Sequence, residues 1–168
     1  YKLNQLAGIG WNNWGRPDSA LYYYNKSLAL LEQFPGEGKE TNVYLNIAHV
    51  FLDNHNPKRA RKYLDLARKS AQKSTLPFFS AMILYYEGLT LSAEKKAAAA
   101  IPALEKSLRA FKKLPKPEKH HLMQSRNLKA LAEAHHELGE AEKALNYLRQ
   151  AKSLNVTVFK RYNDMQSE

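Results

Sequence analysis

The stretch that decides the fold is Leu6 to Leu28, LAGIGWNNWGRPDSALYYYNKSL. Its small residue Gly8 is followed twelve residues later by Ala20, then by Tyr24 and Ser27. The same offsets return three more times. Gly8, Ala48, Gly88 and Ala132 are separated by 40, 40 and 44 residues. So are Ala20, Ala60, Ala100 and Ala144; Tyr24, Leu64, Leu104 and Leu148; and Ser27, Ala67, Ser107 and Ala151. A fixed period of this length marks an array of supersecondary units rather than a single irregular domain.

Apolar or small residues at i, i+4 and i+7, as in Ala20, Tyr24 and Ser27, lie on one stripe of an α-helix. The segment before them carries its own stripe, seen in Tyr44, Ile47, Ala48 and Phe51. Each unit is therefore a helical hairpin. Gly15 with Pro17 and Asp18, Asn56 with Pro57, and Gly139 with Glu140 supply stop and start signals between the paired helices. Asn56 is placed as an N-cap. Pro35-Gly36-Glu37-Gly38, Thr75-Leu76-Pro77 and Pro115-Lys116-Pro117 mark the links between units. A bulky residue at the Gly/Ala crossing should cost about 1 to 3 kcal/mol through overpacking.

The pattern Leu6-Ala7-Gly8-(x6)-Gly15-(x4)-Ala20-(x3)-Tyr24-(x2)-Ser27-Leu28, with Leu131-Ala132 through Gly139, Ala144, Leu148 and Ala151, resembles the tetratricopeptide repeat. The resemblance implies an all-α, right-handed superhelical solenoid forming one domain over residues 1–168. Its four hairpins are expected at about 1–34, 41–74, 81–114 and 125–158, with a capping helix, the ninth, at about 155–168 carrying Val156, Phe159 and Tyr162. Asn4, Glu87 and His135 depart from the family by standing at inward positions of first helices. Pro102 is expected in the first turn of a late-starting helix, with Ala93 to Ala100 open to assignment to the helix before it. The helix from Pro117 to Leu138 is expected to be the longest.

The resemblance also places a ligand groove on the concave side, built from first helices. The expected groove residues are Ile9, Asn12 and Asn13 in the first unit and Leu45, Asn46, His49 and Leu52 in the second. Met82, Tyr85 and Leu89 follow in the third, and Arg126 and Lys129 in the fourth. An apolar middle on such a face implies a protein or peptide partner, or a second copy of the chain; burial by curvature or by the terminal helix is the competing reading. Of the positions that grip a terminal carboxylate in some chaperone-adaptor repeats, only Asn46 agrees, against Gln5, Ile9, Met82 and Tyr86, so that clamp is not expected.

Composition narrows the function further. With 44% hydrophobic and 25% charged residues, 7 Gly, 7 Pro and no Cys, the chain is a packed protein without disulfides or thiolate chemistry. Its apolar runs, such as Ala81 to Tyr86 and Ala97 to Ile101, fall far short of the roughly 18 residues a membrane-spanning helix needs. The net charge of +10 concentrates in two stretches. Lys58 to Lys73 holds seven basic residues against Asp65, and Lys95 to Lys119 holds eight against Glu105 and Glu118. Both fall on second helices and links, the convex side, without the interleaved aromatic platforms that RNA readers use. Nucleic acid is accordingly not the expected partner, and an acidic protein or anionic surface fits the exterior better.

No cofactor, metal or catalytic function is expected. The adjacent pairs His120-His121 and His135-His136 point about 100° apart on a helix, and neither makes a two-ligand face. No phosphate-binding glycine loop or nucleophile motif is present. The chain starts at Tyr1 without a basic-then-apolar leader and stops at Glu168 within a helical pattern, so a piece of a longer or processed protein is expected. More narrowly, LYYYNKSLALLEQ, NIAHVFLDNHNPKRARKYL and SLNVTVFKRYNDM resemble the repeat-containing sensor regions of some bacterial two-component kinases and related transcription regulators. That resemblance implies a periplasmic input domain; a free-standing, cytoplasmic adaptor is the alternative.

Overall fold

The structure, a computed structural model, describes the backbone of residues 1–33 and 38–166 and the side-chain surroundings of these as far as 156. The described residues form eight α-helices: α1 (Lys2–Asn13), α2 (Pro17–Gln33), α3 (Lys39–Asp53), α4 (Pro57–Ala71), α5 (Pro77–Ala93), α6 (Ala97–Lys113), α7 (His121–Glu137) and α8 (Ala141–Gln166). Each odd helix packs most extensively on the even helix after it, and each even helix packs on the next odd one. The odd helices also touch one another, α1 to α3, α3 to α5 and α5 to α7, and so line one side of a stack of four hairpins. This is the all-α helical-repeat solenoid that the period predicts. Most of Pro35-Gly36-Glu37-Gly38 lies outside the described residues.

The recurring small residues sit where two helix axes come closest. A Cβ placed on Gly88 would lie 2.5 Å from the Leu104 side chain, and one on Gly8 would lie 2.6 Å from the Tyr24 ring. Tyr24, Leu64 and Leu104 are fully buried, as are the alanines four residues before them. The Ser/Ala alternation also has a local cause. Ser27 Oγ donates to the Tyr1 carbonyl at 3.0 Å, and Ser107 Oγ donates to the Ala81 carbonyl at 2.8 Å. Each bond ties a second helix to the start of its first, whereas Ala67 and Ala151 fill the same site by packing alone.

All four hairpins turn in one way. Gly15, His55, Lys95 and Gly139, spaced 40, 40 and 44 apart, all have positive φ, at 67°, 53°, 62° and 76°. The N–H of the residue after each reaches back to a carbonyl five residues earlier: Arg16 to Trp11, Asn56 to Phe51, Lys96 to Leu91 and Glu140 to His135, at 2.8 to 2.9 Å. This is the Schellman closure of a helix end, which favours glycine at the left-handed position. Asn56 caps α4 as expected, its Oδ1 accepting from the Arg59 N–H at 3.1 Å, with Pro57 in the first helical position.

Three boundaries differ from the sequence reading. α6 begins at Ala97, directly after the left-handed Lys95, so Pro102 is its sixth residue rather than part of a late first turn. The alanines at 97–100 favour helix strongly, and Pro102 and Ala98, whose carbonyl loses its partner, both face solvent. Pro117–His120 is a separate 3-10 turn after a left-handed Lys116, so α7 starts at His121 and is not the longest helix. That distinction belongs to α8, 26 residues long. It runs without interruption through the point where a capping helix is expected, because no Gly or Pro stands between Ala141 and Gln166 to end it. The side chains of Phe159 and Tyr162, expected to cap the stack, lie outside the described residues. No helix among the described residues is long and apolar enough to cross a membrane.

Candidate functional site: the concave face

The inner sides of α1, α3, α5 and α7 form the concave face. Not every residue expected there is free to meet a ligand. Leu45 and Tyr85 are buried, because curvature presses α3 against α5 and turns these side chains into the seam. Met82, Leu52 and Leu89 are partly buried against the same cluster. The apolar middle is thus largely core. Asn46, His49 and Asn12 are half-buried, while Ile9, Asn13, Arg126 and Lys129 are exposed.

What remains open on this face is mainly polar. Asn12 Nδ2 on α1 donates to Asp53 Oδ2 on α3 at 2.7 Å, and His49 Nε2 lies 3.5 Å from Asp53 Oδ1. The His49 ring meets Tyr86 edge-on at 5.8 Å, and Tyr86 meets Tyr85 at 5.3 Å. A continuous row of polar and aromatic groups therefore crosses three first helices. Burial pushes the Tyr85 hydroxyl up to about 12, with Arg126 opposing and Glu133 and Asp53 adding to the rise. Tyr86 is raised further, again mainly by burial. Burial also lowers His49 below the ordinary imidazole range; Asp53 opposes this and Arg126 reinforces it. The imidazole is accordingly neutral at pH 7. Asp53 at one side and Arg126 at the other give the face opposed charges.

At the N-terminal ends of the first helices the face opens into a cleft of about 510 Å³ between α1, α3 and the start of α5. Leu6, Ile9, Leu76 and Phe79 form its apolar wall, and Lys2 and Lys39 stand at its rim with Asn42. Gln5 lines it as well, and its Nε2 is shielded from solvent with no hydrogen-bond partner among the described residues. Sequence reading missed Lys39, Leu76 and Phe79 because they sit at helix starts and links, outside the mid-helix positions that the period highlights. The arrangement offers hydrogen-bond donors and two cations around an apolar hollow.

The convex side differs. Its basic residues are exposed along α4 and α6, and several are paired between units. Arg61 donates to Glu94 Oε1 through Nε at 2.9 Å and Nη2 at 2.7 Å, while Lys96 Nζ holds the other oxygen at 3.0 Å. These hydrogen bonds, Arg61's first, keep the Glu94 carboxyl below its usual range. Two histidines take packing roles: His135 is buried against the Glu140 carboxylate and stacked on Tyr147, and His120 lies against Phe78 and Phe111.

Comparison with known proteins agrees with this geometry. Residues 79–154 match the family model described as tetratricopeptide repeat. This match and the helical-repeat fold support a tetratricopeptide repeat assignment. The crystal structure of BtubC (BKLC) from P. vanneervenii is similar to the solenoid, with a TM-score of 0.71 at 19% identity, over 93% of this chain and 63% of that one. At that identity the likeness concerns the fold, and this chain spans less than two-thirds of that protein's length. No curated protein matches the sequence. Tetratricopeptide repeats generally mediate protein–protein interaction and are in general not catalytic.

Proposed function

We propose that this repeat domain binds an extended segment of another protein along its concave face, seating a large apolar side chain flanked by acidic groups in the cleft between α1 and α3. The observation that carries this reading is the cleft itself, where Lys2, Lys39 and Asn42 line an apolar hollow beside Leu6, Ile9, Leu76 and Phe79. Such a site rewards a peptide that fills the hollow and answers the cations. Peptides selected from a random library on the native chain should lose at least about tenfold in affinity on Ile9→Asp, and a smaller factor on Lys39→Glu, where rim charge mainly sets the association rate. Melting temperatures should stay unchanged, since both side chains are at the surface. Equal affinity for native and variant chains would remove the cleft from the account.

The finer assignment is the input part of a larger bacterial signalling protein, with a periplasmic location. It rests on the resemblance of the segments quoted above. The uninterrupted 26-residue α8 supports it, since a helix that continues past its partner can carry a change at the stack to whatever follows. The native reading frame decides this: a membrane helix beyond Glu168 supports the sensor, and a stop codon there supports the free-standing adaptor.

A further inference from the structure

Asp53 is the last residue of α3 and stands exposed on the concave face. A carboxylate at a helix C-terminus adds to the negative end of the helix dipole, so the stability of α3 does not call for one there. Nor do its neighbours cancel the charge. Oδ2 accepts from the Asn12 amide of α1 at 2.7 Å, and Oδ1 has His49 Nε2 at 3.5 Å. Asn12 is neutral, and burial holds His49 below its ordinary range, so neither brings a positive charge at pH 7. In a chain of net charge +10, this carboxylate has no lysine or arginine paired to it among the described residues.

A hydroxyl reaches the same corner through a departure from the repeat. Tyr24 takes the position of Leu64 and Leu104, which fill the seam without a polar tip. Its ring lies against Gly8 of α1, where a Cβ would come within 2.8 Å of Cζ, the carbon that bears the hydroxyl. Burial, with the Asp53 charge adding to it, pushes this hydroxyl up to about 12, so it keeps its proton and stands within the field of that carboxylate. Tyr85 and Tyr86 also feel Asp53, but there Arg126 acts in the opposite sense. The negative corner is therefore on the α1 side of the face, away from Arg126.

We infer that this corner seats a cationic side chain, an arginine or lysine of the same peptide whose large apolar residue fills the cleft; the inference rests on the binding mode proposed above. Asp53 supplies the charge, and the Asn12 amide and Tyr24 hydroxyl oxygens supply neutral acceptors. Arginine is the better fit, because its rigid fork of donors can meet several acceptors at once where an ammonium is a point charge. The spacing follows from α3, which runs through both sites. Asn42 in the cleft and Asp53 are eleven residues apart, about 16 Å along a helix, and an extended chain covers that in about five residues. The ligand thus carries acidic groups and its apolar anchor where Lys2 and Lys39 stand, and a basic residue about five positions away.

Peptides selected from a random library on the native chain test this. They should be enriched in arginine or lysine about five residues from the large apolar one. Replacing that basic residue by glutamine should weaken binding to the native chain about tenfold. Asp53→Asn should lose the same factor for the basic peptide and nothing for its glutamine version, with an unchanged melting temperature, since an amide oxygen can still accept from Asn12. Tyr24→Phe keeps the ring and should lose a smaller factor. Equal affinity of the native and Asp53→Asn chains for the basic peptide would overturn the inference. So would an equal loss for both peptides, which means that Asp53 acts through the fold, or selected peptides without the basic residue. The cleft is judged separately, by Ile9→Asp against the glutamine peptide. A loss there with no effect of Asp53→Asn keeps the cleft and removes the cation seat; the reverse keeps the seat and removes the cleft. A library that yields no binding peptide overturns both.

Discussion

The seam between helices and the concave face share one period, yet they use it in opposite ways. Along the seam the residue type recurs: Gly8, Ala48, Gly88 and Ala132 are all small, and Tyr24, Leu64 and Leu104 are all large and buried. One position along on the inner face, Ile9, His49, Leu89 and Glu133 range from aliphatic to imidazole to carboxylate. The seam poses the same packing problem in every unit, and close-packed interiors admit few answers. No internal contact sets the inner face to one residue type. Diversity at a fixed register therefore fits the surface proposed to meet a partner, just as uniformity marks the one that holds the stack together.

The contrast is broken most forcefully by making one change at two units. Leu104→Ala removes a side chain enclosed by α5 and should cost on the order of 3 kcal/mol by chemical denaturation. Leu148→Ala, in register but at the open end, should cost under about 1 kcal/mol. Similar losses at both positions would mean that the ends are packed as the middle is.

Alkaline titration sharpens the same division. Tyr85 is held near 12 in the folded chain against about 10 when unfolded, so between those values the folded state keeps a proton that the unfolded state has released. Stability should therefore fall as pH rises from about 10 to 12, by on the order of 2 kcal/mol for this residue, with buried Tyr24 and Tyr86 adding to the loss. Ultraviolet absorbance of tyrosinate should rise together with the loss of helical signal. Tyr85 and Tyr86 ionising at pH 10 in the intact fold would place them in the open groove instead of the seam.

A smaller effect separates turn from seam. Lys95 and His55 occupy left-handed positions that Gly15 and Gly139 fill without strain. Lys95→Gly should raise stability by roughly 0.5 to 1 kcal/mol, seen as a higher melting temperature, whereas Gly139→Lys should lower it by a similar amount.

The hairpin order was legible because packing writes the same letters every 40 residues, and the Schellman turns were legible where a glycine stands. His55 and Lys95 hid the other two, since a non-glycine at positive φ carries no local signature. The α7 start was hidden for a related reason: Pro117 is as good an opening for a 3-10 turn as for a helix. Periodicity assigns Leu45 and Tyr85 to an inner face, but it does not contain the curvature that closes α3 on α5 over them. The cleft was least legible of all, because Lys39, Leu76 and Phe79 come together from helix starts and a link that obey no common period.

The most direct measurement of the central claim is hydrogen–deuterium exchange of the native chain with and without a library-selected peptide. Binding on the concave face should slow exchange in the first turns of α1 and α3 and at the start of α5, and leave α4 and α6 unchanged. Protection confined to α4 and α6, with the α1–α3 cleft exchanging as in the free chain, would contradict it.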